Sequence, residues 1–379
     1  MNRLPGRLAV YHPLPKGVKP FLVEISEACA PAQAVVSRRA SWYNFPVSTG
    51  SGLIETLWAG FATIHRRPAL LFIPVAVNFL LWLGPRITAQ PVATAAGEAV
   101  ARWMATVAND PALVSQAEQA RLAGEELPQR ISALGDANLV SLVGFGGWTV
   151  PGLVVINQDL GQAVIALGGM PLVGAVLGLG LIGLLLGALF YQLAAQAVRG
   201  EPWQLGAALR GTPCFVGRML GWLGMLVTTS IVVGLPVVII SSLLTLISPT
   251  LGLAIILLVW ALGLVAGWWL FFHTSAMFVS DLGPLRALLA SIEVVARYRA
   301  ASLLFVLVVW LLSAGWAVVW ASIDGWPAGT LLSILGQTYL GCGLVLATMI
   351  FYRDRRATLA PPVRANTPPA TPTEEQRGW

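Results

Sequence analysis

Residues 219–280 read MLGWLGMLVTTSIVVGLPVVIISSLLTLISPTLGLAIILLVWALGLVAGWWLFFHTSAMFVS, and this run contains no Asp, Glu, Lys or Arg. A membrane-spanning helix needs about 20 apolar residues, so the run is long enough for two spans. Ser248, Pro249 and Thr250 interrupt it near the middle with residues that favour a turn. The run therefore predicts two spanning helices joined by a tight connection.

Four further stretches share this lack of charge: 68–85, 160–198, 300–323 and 325–352. Charged residues make up only 11% of the chain, against about 25% in an average soluble domain. Together the five stretches predict an all-α, polytopic membrane protein with six transmembrane helices. The predicted spans lie near 68–85, 169–197, 219–245, 251–273, 301–323 and 328–352.

The basic residues are distributed unevenly about these spans. If both termini are cytosolic, only Arg86, Arg102, Arg121 and Arg130 of the 23 lysines and arginines fall outside. Cytosolic loops of membrane proteins carry an excess of Lys and Arg, and this bias orients the spans. The pattern predicts a multi-pass protein of the bacterial inner membrane, with the N and C termini in the cytosol. It also explains the net charge of +6 without nucleic-acid binding.

The first two spans are separated by a long external region, residues 88–168. Its polar first part predicts two helices that separate at Asn109-Asp110-Pro111, because the residue before a proline avoids helical geometry. Residues 137–158 are uncharged, and as a seventh span they would place most later arginines outside. Their glycines and Pro151 also weaken a single helix. We interpret this stretch as an interfacial or re-entrant segment.

The two ends of the chain differ in composition from the membrane domain, residues 50–356. Residues 1–49 bear prolines without a clear periodic pattern and predict a poorly structured cytosolic segment. Residues 357–379 contain five prolines and few large apolar residues, which is typical of a disordered tail.

Three short segments on the cytosolic side show an apolar stripe followed by basic residues. The stripes are Leu53, Leu57, Phe61 and Ile64; Leu205, Leu209, Thr212 and Val216; and Leu285, Leu288, Leu289, Ile292 and Val295. Such helices lie in the headgroup layer with their cations near lipid phosphates. The predicted headgroup contacts are Arg66, Arg67, Arg218, Arg297 and Arg299. The alternative, three ordinary helices packed on the bundle, is open because an apolar stripe alone does not distinguish the two.

Two of these segments carry a resemblance to a known group. Residues 278–310, FVSDLGPLRALLASIEVVARYRAASLLFVLVVW, resemble the recurring element of membrane domains attached to some bacterial glycerophosphoryl diester phosphodiesterases and of related multi-pass proteins. Residues 56–87, TLWAGFATIHRRPALLFIPVAVNFLLWLGPRI, are similar to the opening of that group. The resemblance implies a six-helix inner-membrane domain. It gives no reason to expect phosphodiesterase activity, because the soluble barrel of those enzymes has no counterpart here.

Residues that could perform chemistry are sparse. The three histidines lie in different segments and the three cysteines form no CxxC pair, so neither a metal site nor a cofactor is predicted. A lipid-modifying enzyme would have to be built on His273 and Asp281. A permease would use Asn78, Gln192 and Gln337 as a polar path through the spans, although interhelical hydrogen bonding explains these residues adequately and is the favoured interpretation.

The sequence therefore favours a non-enzymatic protein that supports or regulates a membrane process through its helix bundle and its lipid-surface contacts. The alternative is a permease or exporter of a small amphiphilic molecule. The bilayer and its anionic headgroups are the predicted partners. A membrane-protein partner or a second copy is a further prediction. Close helix contact, either within the bundle or in a dimer, is allowed by three GxxxG spacings: Gly174/Gly178, Gly183/Gly187 and Gly263/Gly267.

Overall fold

The computed structural model describes residues 52–109, 114–144, 150–153, 162–323 and 326–359, most of which are helical. The predicted segment 1–49 and residues 360–379 of the predicted tail lie outside these ranges. The helices are α1 (Leu53–Arg66), α2 (Phe72–Leu83), α3 (Gln90–Ala108), α4 (Val114–Gly135), α5 (Gly169–Arg199), α6 (Leu205–Thr229), α7 (Leu235–Ile247), α8 (Pro249–Leu270), α9 (His273–Val279), α10 (Pro284–Arg297), α11 (Arg299–Ile323) and α12 (Pro327–Leu359). Two short strands, β1 (Arg86–Thr88) and β2 (Val164–Ala166), pair in parallel.

Five helical segments in the described ranges are long and apolar enough to cross a membrane: Gly169–Arg199, Leu205–Thr245, Thr250–Val279, Arg299–Ile323 and Pro327–Leu359. A sixth span is counted only if α1 and the helical stretch Pro68–Leu83, which meet at a bend of 94°, are taken as one. The chain thus has the helices of an all-α, multi-pass membrane protein. The span count is five or six.

The long uncharged run folds as predicted around its central turn. Helix α7 ends at Ile247, Ser248 adopts an extended conformation, and α8 begins at Pro249. Proline is favoured in the first turn of a helix because its missing N–H needs no partner there. Pro236 does not break the preceding span, because a π-helical turn over Ser230–Gly234 precedes it and the helix continues. Such a bulge lets the helix continue although proline lacks the N–H that would donate the usual backbone hydrogen bond.

Residues 88–168, which are predicted to be external, contain the two predicted helices. Helix α3 ends at Ala108 and α4 begins at Val114, which confirms a break close to Asn109. The two helices pack against each other where Gly97 lies close to the backbone of Pro128. Exposed ion pairs line α4: Arg121 lies 2.8 Å from both Glu118 and Glu125, and hydrogen bonding by Arg121 lowers the pKa of Glu118. These are the features of a solvated helical hairpin.

Among the five candidate spans, α12 is the most buried. In its apolar stretch of 18 residues, 61% of the residues are buried, whereas none is buried in the corresponding stretch of Leu205–Thr245. Phe351 of α12 stacks on Phe272 and on Phe305, with ring centroids 5.1 and 4.5 Å apart. The core therefore forms around α12, while α7 and most of α8 expose large apolar side chains, which is typical of a surface that contacts lipid or another protein.

The described parts of residues 137–158 pack inside the bundle. They comprise a 3-10 turn, Leu139–Gly144, and residues 150–153, and they form no long helix. Val143 lies against Gly183 of α5, and Gly152 lies against Gly341 of α12. Gly152 has a φ of +73°, which a residue with a side chain rarely adopts. No seventh span is present in these described parts, and a re-entrant position in the membrane stays a prediction.

Two boundaries differ from those expected. The second of the three predicted surface helices is continuous with its span, because α6 runs from Leu205 to Thr229 with Pro213 inside it. Helix α12 extends to Leu359, past the predicted boundary of the membrane domain at 356, so the first residues of the predicted tail are helical.

Candidate membrane-surface site

Three helical segments each precede a predicted membrane span: α1, residues 205–217 of α6, and α10. We refer to them as the approach helices. Each buries one face against the bundle. In α1 the buried residues are Thr56, Gly60 and Ile64. Gly60 lies so close to α12 that a Cβ atom there would be 2.6 Å from the carbonyl oxygen of Gly343. Helix α1 is therefore fixed to the bundle by close backbone packing.

Each approach helix also exposes two large apolar side chains spaced four residues apart. The exposed pairs are Ile54 (80%) with Trp58 (71%), Leu205 (47%) with Leu209 (52%), and Leu285 (57%) with Leu289 (58%). Residues at this spacing lie on the same side of a helix. The second and third stripes predicted from sequence are divided between the bundle and the exterior, because Val216 and Val295 are buried whereas the leucines of the two exposed pairs are not. The predicted stripe of α1 packs on the bundle instead, and the exposed Ile54 and Trp58 lie outside it.

Three of the five predicted headgroup contacts are exposed. These are Arg66 at the end of α1, Arg297 at the end of α10 and Arg299 at the start of α11. The Nε of Arg299 donates a hydrogen bond to the carbonyl of Ala296, which holds the side chain near the helix junction. Arg66 and Arg297 therefore lie at the carboxyl ends of the two helices that carry the exposed pairs Ile54/Trp58 and Leu285/Leu289.

The other two arginines have partners within the protein. Arg218 is buried, its Nη1 lies 2.5 Å from Oδ1 of Asp281, and its guanidinium lies over the ring of Phe215. Arg67 is half-buried and donates a hydrogen bond to the backbone carbonyl of Glu201. Both partners are distant in sequence, so no local sequence pattern predicts either contact.

A network of ion pairs and hydrogen bonds joins the ends of several helices near Arg218. Arg199 at the end of α5 pairs with Glu201 at 2.8 Å and donates to the carbonyl of Phe278 in α9. Arg353 of α12 donates to the carbonyl of Val198 in α5. Arg356 of α12 pairs with Glu293 of α10. The approach helices are consequently tied to the same end of the bundle as the carboxyl half of α12.

The three residues of the predicted polar path make separate contacts. Asn78 is buried and its Nδ2 donates to the carbonyl of Gly152 and to Thr338, at 3.0 and 3.2 Å. Gln192 is buried and hydrogen bonds with Thr212 of α6. Gln337 lies next to Thr338 in sequence, and its Oε1 has no partner among the described residues. The structure therefore brings Asn78 near α12 and Gln192 near α6, and the polar path stays a prediction.

His273 and Asp281 also lie in different surroundings. His273 is buried at the start of α9, and its ring stacks on Trp222 with centroids 3.9 Å apart. Asp281 follows α9, has a φ of +54°, and pairs with Arg218. Within the described ranges, no group of three or more His, Cys, Asp or Glu residues could hold a metal ion. The candidate site therefore consists of exposed apolar and basic side chains on the approach helices and of ion pairs within the protein.

Comparison of the chain with protein-family models, with curated proteins and with solved structures gave no match. The fold therefore indicates the class of protein: it is an all-α protein with five or six helical segments that are long and apolar enough to cross a membrane. The resemblance to membrane domains of glycerophosphoryl diester phosphodiesterases stays a proposal that rests on residues 56–87 and 278–310.

Proposed function

We propose that this is a non-enzymatic protein of the bacterial inner membrane that supports or regulates a membrane process through contacts with anionic lipid headgroups. The observation that carries the proposal is the exposed apolar pair on each approach helix. Each approach helix also carries an exposed arginine: Arg66 on α1, Arg210 on α6 and Arg297 on α10.

The physical basis is that an apolar pair inserts below the headgroups while the guanidinium groups bind phosphates. A basic residue near an anionic leaflet contributes about 1 kcal/mol. Three such helices on one bundle act together, because binding of the first raises the effective concentration of the others. We place the approach helices, and both termini, on the cytosolic side, as the distribution of arginines favours.

The alternative, a permease of a small amphiphilic molecule, has less support. It requires Asn78, Gln192 and Gln337 to line one path, yet Asn78 and Gln192 hydrogen bond with different parts of the bundle. Amide side chains that hydrogen bond with a neighbouring helix are typical of interhelical packing.

The headgroup contact can be tested by neutralising its three exposed arginines. We expect the triple variant Arg66→Gln, Arg297→Gln and Arg299→Gln, purified from membranes, to retain markedly less anionic lipid than the unmodified chain. Three lost contacts of about 1 kcal/mol each weaken the retention of anionic lipid by up to about a hundredfold. Lipid retained after gel filtration would be quantified by mass spectrometry.

The matched control is Arg102→Gln together with Arg130→Gln, because both arginines are exposed on the external hairpin and have exposed acidic partners. This control should retain as much anionic lipid as the unmodified chain. Equal retention by the triple variant and the control would contradict the proposal.

A further inference from the structure

A cavity of about 340 Å³ lies between α6 and the junction of α8 with α9. It is lined by Trp222, Leu226, Gly267, Leu270, Phe271, His273 and Thr274. This volume is at the lower end of the range of about 300–1,000 Å³ that small-molecule sites occupy. The lining is mostly apolar and contains no acid, lysine or arginine. The cavity therefore suits an uncharged ligand with a hydrocarbon portion.

Two ring nitrogens in the lining have no hydrogen-bond partner among the described residues. They are Nε1 of Trp222 and Nε2 of His273, whose residues are only 5% and 2% exposed. A buried polar atom left without a partner costs about 1–3 kcal/mol, so native proteins rarely tolerate two together. Because the two rings stack, both belong to the same wall of the cavity.

The chemistry of these two nitrogens limits the ligand. An indole N–H can only donate a hydrogen bond. A neutral imidazole carries one N–H and one bare nitrogen, so Nε2 of His273 either donates or accepts a hydrogen bond. A hydroxyl group satisfies both nitrogens in either case, because its oxygen has two lone pairs and one O–H. An alkane satisfies neither nitrogen, and a carboxylate or a phosphodiester would bury a charge in a lining that contains no lysine or arginine.

The surroundings indicate that such a ligand enters from the lipid. Gly267 is exposed, and no atom lies within 4 Å of the position its Cβ would occupy. The neighbouring large residues on α8, Leu264 and Val265, are also exposed. The helix is interrupted at Phe271 and Phe272, between α8 and α9, directly beside the cavity. Interrupted spanning helices commonly border ligand sites within membranes.

We propose that this cavity binds an uncharged lipid alcohol, with its hydroxyl between Trp222 and His273 and its chain extending past Gly267. The site is separate from the approach helices and does not depend on their contact with headgroups. It gives the bundle a means of sensing or carrying a neutral component of the bilayer.

The proposal can be tested by photolabelling of the full chain in nanodiscs with a long-chain alcohol that bears a diazirine and an alkyne. We expect saturable labelling of residues 222–226 or 267–274, mapped by mass spectrometry. Excess dodecan-1-ol should compete, whereas dodecane should not. Labelling that does not saturate, or equal competition by dodecane, would overturn the proposal.

Substitutions separate the cavity from general lipid contact. Gly267→Leu should fill the mouth of the cavity and reduce labelling about fivefold, which corresponds to a loss of about 1 kcal/mol in binding free energy. Gly263→Leu is the matched control, because Gly263 lies one turn away, is equally open and does not line the cavity. Identical labelling of these two variants would contradict the proposal.

Trp222→Phe and His273→Phe preserve the stacked rings and remove one nitrogen each. Each should weaken competition by dodecan-1-ol about fivefold, as expected for one lost hydrogen bond. Gel filtration and thermal unfolding would verify that the variants fold. Unchanged competition by dodecan-1-ol in both folded variants would rule out the hydroxyl site. Water, and not a ligand hydroxyl, would then be the hydrogen-bond partner of these nitrogens.

Discussion

Gly60→Leu is expected to detach α1 from the bundle and to lower the stability of the protein more than any single substitution on an exposed helix face. A Cβ at residue 60 would lie 2.6 Å from the Gly343 carbonyl oxygen and 2.7 Å from the backbone nitrogen of Ala347. Both obstructing atoms belong to the α12 backbone, so no side-chain rotation relieves the clash. Overpacking of this kind typically costs 1–3 kcal/mol, and a leucine here should cost about 3 kcal/mol.

The measurement is the thermal unfolding temperature of the purified protein in detergent, together with protease sensitivity near residue 66. Gly206→Leu is the matched control, because Gly206 lies in another approach helix with no atom near its Cβ position. The control should unfold at the temperature of the unmodified chain. If Gly60→Leu did so as well, the close packing of α1 on α12 would be refuted.

Arg218→Met is expected to destabilise the junction between α6 and the segment after α9. It removes the charge that pairs with Asp281 and the contact with the ring of Phe215. Breaking a buried ion pair costs 3–5 kcal/mol. Because the side chain of Asp281 is 41% exposed, solvent screening reduces the expected cost to about 2 kcal/mol.

A double-mutant cycle isolates the pair. Asp281→Asn is the suitable second change, since asparagine tolerates the positive φ at this position. If the pair is stabilising, the double variant should lose less stability than the sum of the two single variants. Arg102→Met, which removes an exposed arginine from the external hairpin, should change the unfolding temperature little. Strict additivity of the two losses would show that the ion pair contributes nothing.

The sequence predicts the all-α class and most helix positions because membrane spans are long and uniformly apolar. The turn at Ser248 and the break near Asn109 were predicted for the same kind of local reason, namely the conformational limits that proline imposes. The first span was less predictable. Its apolar length is sufficient, but α1 and the helical stretch Pro68–Leu83 meet at a bend of 94°, and Gly60 gives no local sign that α1 packs against α12.

The candidate site was predictable only in part. The sequence indicates which arginines follow an apolar stripe, but it does not show which of them are buried. Arg218 and Arg67 find partners more than 60 residues away, and such contacts arise only when the helices assemble. The cavity beside His273 was also missed, since its lining comes from two spans. The nearest sequence signal was the aromatic-rich segment that ends in Phe271, Phe272 and His273.

Sidedness is the central claim, because contact of the approach helices with the inner leaflet requires that they lie opposite the external hairpin. It can be measured by labelling single introduced cysteines in intact cells with a membrane-impermeant maleimide, with the parent chain as background. Arg102→Cys and Glu293→Cys are suitable because both side chains are exposed. We expect labelling at residue 102 in intact cells and at residue 293 only after lysis. Labelling at residue 293 in intact cells would contradict the proposed sidedness.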